Sequence, residues 1–174
     1  MRVLRNFDDL TPVPWANGAG ETTELISLTE SETITPGRRP WRLSVARLER
    51  TGPFSSLPGM ARTFLPVGAE VTLEIDGQVQ RVLQTEPARF TGDQDVALVD
   101  LPVPCFALNL MVAEDHGSGS GRPTVEMVVD PDQGFHEWER FAVTLEATAE
   151  HPRFRLIHLG EGETLPAGRV AYLR

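Results

Sequence analysis

Alternation with a period of two, cut every few residues by proline or glycine, limits this chain more than any other feature. In "EVTLEIDGQVQRVL", Val71, Leu73 and Ile75 alternate with Thr72, Glu74 and Asp76, and Asp76-Gly77 offers a type I′ hairpin turn. "FAVTLEA" sets Phe141, Val143 and Leu145 on one face. "RFRLIHL" does the same with Phe154, Leu156 and His158, and "VEMVV" with Val125, Met127 and Val129. Fourteen prolines and 15 glycines leave no long run at helical spacing. One short helical turn is expected near "DPDQGFHEWERF". The chain should therefore be all-β, a sandwich or barrel of short antiparallel strands.

Of the 174 residues, 40% are hydrophobic and 24% charged, the balance of an ordinary globular domain. No apolar run is long enough to span a membrane as a helix, and "MRVLRNFDDLTPVP" lacks the apolar core of a secretory signal. A cytoplasmic location is expected, and the single Cys105, which has no internal disulfide partner, agrees with a reducing compartment. A net charge of −9 repels phosphate backbones, so nucleic acid is a poor partner, while a pocket arginine can still hold a small anion. The Gly/Ser stretch 116–122 divides the chain into a first half, 1–115, and a second, 123–174. The second is too short to bury a dependable core alone, so the expected organisation is one domain of two packed β halves.

Motifs for chemistry are sparse. His116, His136, His151 and His158 form neither H-x-H nor H-E-x-x-H, so no metal site is expected. "GSGSG" has Gly119 where a nucleophile elbow needs serine, and Cys105 sits among apolar residues as a buried thiol. In "PWANGAGETTE", Gly18-Ala-Gly20 is followed by Thr23 where a dinucleotide fingerprint needs its third glycine. No catalytic set assembles. "WRLSVARLE" puts Trp41, Leu43 and Val45 on one face, and Arg42, Ser44 and Ala46 on the other. Arginine with serine suits a carboxylate, although pattern alone favours a solvated Arg42. Arg62, after a Pro-Gly turn, is equally open.

"PWANGAGETTE", "WRLSVARLERTGPFSSLPGMARTFLPVGAEVTLEIDG", "RFTGD" and "LNLM" occur in the order seen in the HutD/Ves family of cupin-like bacterial proteins, which residues 12–112 closely resemble. "LGEGETLPAG" resembles a closing cupin segment. The resemblance implies a double cupin-like fold, often a homodimer, without metal or other cofactor. It also implies a regulatory role in histidine utilisation, through a small carboxylate such as formylglutamate or urocanate. The family's P-W-K-N-G turn falls on Pro14 to Gly18, its W-R-x-S strand on Trp41, Arg42 and Ser44, and its D-L-N-x-M end on Ala107 to Met111. Two departures stand out: Ala16 replaces a lysine and Ala107 an aspartate. Loss of both members of an ion pair would be structurally near neutral, and loss of one would strand a charge.

The ligand-binding set implied is Trp15, Asn17, Gly18, Glu24, Trp41, Arg42, Ser44, Arg62 and Asn109. The tryptophans would wall the pocket, the arginines would hold carboxylate, and Asn17, Ser44 and Asn109 would orient it. Two other functions compete with this one. The first is an isomerase or hydrolase using Glu24 or His158 as base; the second is a partner-binding protein whose pocket has degenerated, which the two alanines would suit.

Overall fold

In a computed structural model of the chain, residues 1–114, 121–129, 140–160, 162–163 and 168–174 are described. The expected helical turn, His116, His136 and most of the Gly/Ser stretch lie outside them. Fifteen strands form three antiparallel sheets among the described residues, so the chain is all-β in the manner of a cupin-like sandwich. No helix among those residues is long and apolar enough to cross a membrane.

The strands run β1 (Arg2–Arg5), β2 (Val13–Pro14), β3 (Gly20–Ile26), β4 (Trp41–Leu48), β5 (Gly52–Pro53), β6 (Met60–Val67), β7 (Val71–Ile75) and β8 (Gln78–Val82). They continue as β9 (Ala88–Thr91), β10 (Val96–Asp100), β11 (Cys105–Ala113), β12 (Met127–Val129), β13 (Arg140–Thr144), β14 (Leu156–Leu159) and β15 (Val170–Leu173). Contacts divide the chain into a larger unit, Pro12–Thr124, and a smaller one, Met1–Thr11 with Val125–Arg174.

In the larger unit, a six-stranded sheet (β2-β3-β4-β11-β6-β9) faces a four-stranded one (β5-β10-β7-β8). Ala46, Leu48, Phe64, Ala88, Phe90, Cys105 and Ala107 from the first meet Val71, Leu73, Val82, Val96 and Leu98 from the second. The 76–77 hairpin forms as its sequence implies: Asp76 (φ 48°) and Gly77 (φ 78°) both take the positive φ of a type I′ turn. Helix α1 (Leu28–Ile34) was not expected. Ser27 and Glu30 cap it reciprocally, so its start is encoded locally even though seven residues carry little periodicity.

The smaller unit is one five-stranded sheet, β1-β14-β13-β15-β12, in which Arg2 pairs with His158. Alternation through "RFRLIHL" is shorter than the letters suggest. Phe154 has φ 58° and precedes the strand, and Leu156, Ile157 and Leu159 are all buried.

Candidate functional site

In antiparallel pairs, residues directly opposite share a face, so the register of the six-stranded sheet sorts the candidates. One row across it is Glu24, Ser44, Asn109, Phe64 and Ala88; the next is Arg42, Met111, Arg62 and Phe90. A third, on the other side of the first, is Thr22, Ala46, Ala107 and Pro66. Ala46, Phe64, Phe90 and Ala107 belong to the inter-sheet core, so all three rows lie on the inner face. Arg42 thus points to the inner side rather than to a solvated outer face. Glu24, Arg42, Ser44, Arg62 and Asn109 come together there.

Arg62 is the distinctive member. Its guanidinium carbon lies 5.5 Å from the Phe54 ring centre and 5.1 Å from that of Phe90, and Nη1 donates to the Ser55 carbonyl at 3.2 Å. Its Nε is buried without a hydrogen-bond partner. Burial, reinforced by the like charge of Arg42, brings its pKa down to about 10, which leaves it protonated at neutral pH. The two arginines stand two strands apart, about 10 Å between backbones. Arg42 is already engaged, its Nε donating to Glu24 Oε2 in a half-exposed ion pair. Beside them, Ser44 and Asn109 are buried, and the Asn109 amide donates to the Ala107 carbonyl at 3.4 Å. Phe54, Phe90 and Met111 were not among the sequence candidates. Phe54 stands in the quoted "GPFSS", but only strand register puts Phe90 and Met111 opposite Arg62.

The other candidates go elsewhere. Trp41 lies on the opposite face, fully buried, its indole N–H donating to Thr35 Oγ1 at 2.9 Å. Trp15 packs on the inter-sheet core and donates to Thr22 Oγ1 at 2.8 Å. It sits near the Leu48 end of β4, which is about 20 Å along the strand from Arg42. Asn17 and Gly18 share that end. Asn17 Oδ1 accepts from the Ala19 amide at 2.9 Å, and the Gly18 carbonyl accepts from Arg50 Nη2 at 2.7 Å. Gly18 holds φ 65°, and a Cβ on Gly20 would lie 2.2 Å from the Arg47 carbonyl oxygen. These two glycines serve the turn and the close approach of β3 to β4. Ala16 is exposed in the turn, whereas Ala107 is wholly buried between Ala46 and Pro66, where a carboxylate would be costly.

A depression of about 570 Å³ opens at this turn, lined by Asn17, Ala19, Glu49, Arg50, Thr51, Gly52, Pro53 and Leu101. The open space therefore lies at the other end of β4 from Arg42 and Arg62. At the depression, Glu49 pairs with Arg47 at 3.3 Å, and the exposed Arg50 is spent on two backbone carbonyls. At the inner face, Arg62 has no counter-ion among the described residues. Charge, not volume, selects an anion, so the inner face is the stronger candidate. Among the described residues no three His, Cys, Asp or Glu side chains converge to hold a metal. His158 belongs to the smaller unit's sheet and stacks on Phe141 at 5.2 Å, its Nε2 buried without a partner. Glu24 has a cation and a serine for neighbours rather than a proton-donating partner.

The family model described as HutD matches residues 8–169. Protein Ves of Escherichia fergusonii is 37% identical over 97 residues, covering 52% of this chain and 48% of its own. Protein Ves of Citrobacter koseri is 34% identical over 117 residues, covering 63% of this chain and 58% of its own. The chain spans about half the length of these curated relatives. The solved structure of HutD from Pseudomonas fluorescens SBW25, in a formate condition, superposes with a TM-score of 0.64 at 22% identity, covering 95% of this chain and 93% of that one. At that identity the likeness is one of fold.

Proposed function

This chain belongs to the HutD family, and from that premise we propose that it is a metal-free binding protein for a small carboxylate, held on the inner face of the larger unit. One observation carries the reading: Arg62 is a partly buried cation with no carboxylate to neutralise it among the described residues. Its hydrogen-bond acceptor there is a single backbone carbonyl, and Arg42 repels it. An uncompensated buried charge is unfavourable, and a bound anion would relieve it. Arg62 supplies the charge, the Phe54 and Phe90 rings fix the plane of its guanidinium, and Ser44 with Asn109 offers neutral hydrogen-bonding groups.

The resemblance supports a regulatory role in histidine utilisation, in the cytoplasm, with formylglutamate or urocanate as ligand and a homodimer as the working form. Trp41 is left out of the ligand set because its face and its indole N–H are committed to the core. Calorimetry of the full chain against formylglutamate, urocanate and glutamate tests the proposal. At least one should bind with a dissociation constant below millimolar, and Arg62→Met should weaken it by about a hundredfold, the loss expected for one charge-assisted contact. No heat from any of the three, or unchanged affinity in Arg62→Met, would reject it.

A further inference from the structure

The carboxylate reading says that an anion sits at Arg62 but leaves its charge open. Three charged side chains face this part of the inner surface among the described residues: Glu24 from β3, Arg42 from β4 and Arg62 from β6. The strands between and beside them contribute Ala107, Asn109 and Met111 from β11, and Ala88 and Phe90 from β9. The opposing sheet contributes the apolar Val71, Leu73, Val96 and Leu98. The face therefore carries one net positive charge.

From this count we infer that the site selects a singly charged carboxylate over a dicarboxylate, and that Glu24 is the residue that sets this preference by occupying Arg42. The inference rests on the carboxylate reading of the same site, and of the two ligands named there it favours urocanate, which carries one carboxylate, over formylglutamate, which carries two. Glu24 lies one strand from Arg42 on the same face, and the irregularity in β3 between Glu24 and Ile26 falls beside it. A second ligand carboxylate could take Arg42 only by displacing Glu24. The displaced side chain would still be anchored on the neighbouring strand, so its charge would remain beside the newcomer. Two carboxylates would then share one guanidinium, a like-charge arrangement that rejects the dianion. The far end of a monoanion meets no such conflict, because Ser44 and Asn109 are neutral and take an amide or hydroxyl.

Glutarate and its monoamide have the same length and differ by one charge, so the pair isolates the effect. In calorimetry of the full chain at about pH 7.5, the monoamide should bind about tenfold more tightly than glutarate. Glu24→Gln frees Arg42 and should reverse the order, tightening glutarate by about tenfold while changing the monoamide by less than about threefold. Glu24→Asp keeps the charge and should retain the monoamide preference. That control separates charge from structural damage, and far-ultraviolet circular dichroism confirms that the variants fold. Tighter binding of glutarate by the natural chain, or a Glu24→Gln ratio equal to the original, would overturn the inference while leaving the carboxylate reading intact. Binding of neither probe, with Arg62→Met giving the same silence, would overturn both.

Discussion

Arg62, the proposed carboxylate contact, shows how a residue suited to binding can cost stability. Folding depresses its pKa to about 10, so the folded state holds the proton less tightly than the unfolded chain does. By linkage the penalty is fully present below about pH 10 and is relieved only as the pH rises beyond it, so this residue adds no pH slope near neutrality. The penalty is about 3 kcal/mol, offset by ring contacts of about 1–2 kcal/mol and a hydrogen bond of about 1 kcal/mol. Arg62→Met should leave the unliganded melting midpoint unchanged or raised while abolishing the rise that a carboxylate produces; a fall of several degrees without ligand would contradict this. Gly20 has the opposite character, since its role is steric. Gly20→Ala would push a methyl into the Arg47 carbonyl and the Trp15 ring, costing about 3 kcal/mol in chemical denaturation. At this scale the sequence was half readable. Residue types named the candidates, but that Arg62 is partly buried between Phe54 and Phe90, without a carboxylate beside it among the described residues, depended on contacts between strands far apart in the chain.

Elements carry the next layer, and β4 illustrates it. Its alternation alone puts Arg42 and Ser44 on one face and Trp41 on the other, because a strand's two faces follow from the pleat. Which face was the inner one was not legible, since both bury residues: Leu43 and Val45 are as enclosed as Ala46. Helix α1 was missed for want of periodicity, although Ser27 and Glu30 at N-cap and N3 were a readable signal. The helix also fixes the start of β4. Ser31 Oγ accepts from the Trp41 amide at 2.9 Å and donates to the Leu28 carbonyl at 2.6 Å, and Thr35 Oγ1 receives the Trp41 indole. Ser31→Ala removes the acceptor of a buried amide and should cost about 1–3 kcal/mol, read from the urea midpoint. Carboxylate affinity should change less than about twofold, because Ser31 reaches β4 beside Trp41, whose side chain is on the other face from Arg42. A large loss of affinity at unchanged stability would instead tie α1 to the site.

Across the whole molecule, the all-β class and the family were legible because both depend on patterns within short windows. Pairing over long separations was not. β1 lies against β14, so Arg2 meets His158, and nothing in four extended residues names a partner more than 150 positions away. The link is nevertheless specific. Phe7 packs edge-on against the buried Phe154 with ring centres 5.4 Å apart, and Arg155 Nε donates to Asn6 Oδ1 at 2.8 Å. Residues 1–11 thus cover one edge of the smaller unit's sheet, and β13 and β14 inherit their protection from it. Phe7→Ala, at a half-buried site, should cost roughly 2 kcal/mol. The loss should also be local: amide hydrogen exchange should accelerate first in β14 and then in β13, where the ladder has lost its anchored edge. Equal acceleration in every strand would mean that the chain opens only as a whole and that the 1–11 segment is no separate determinant of the smaller sheet.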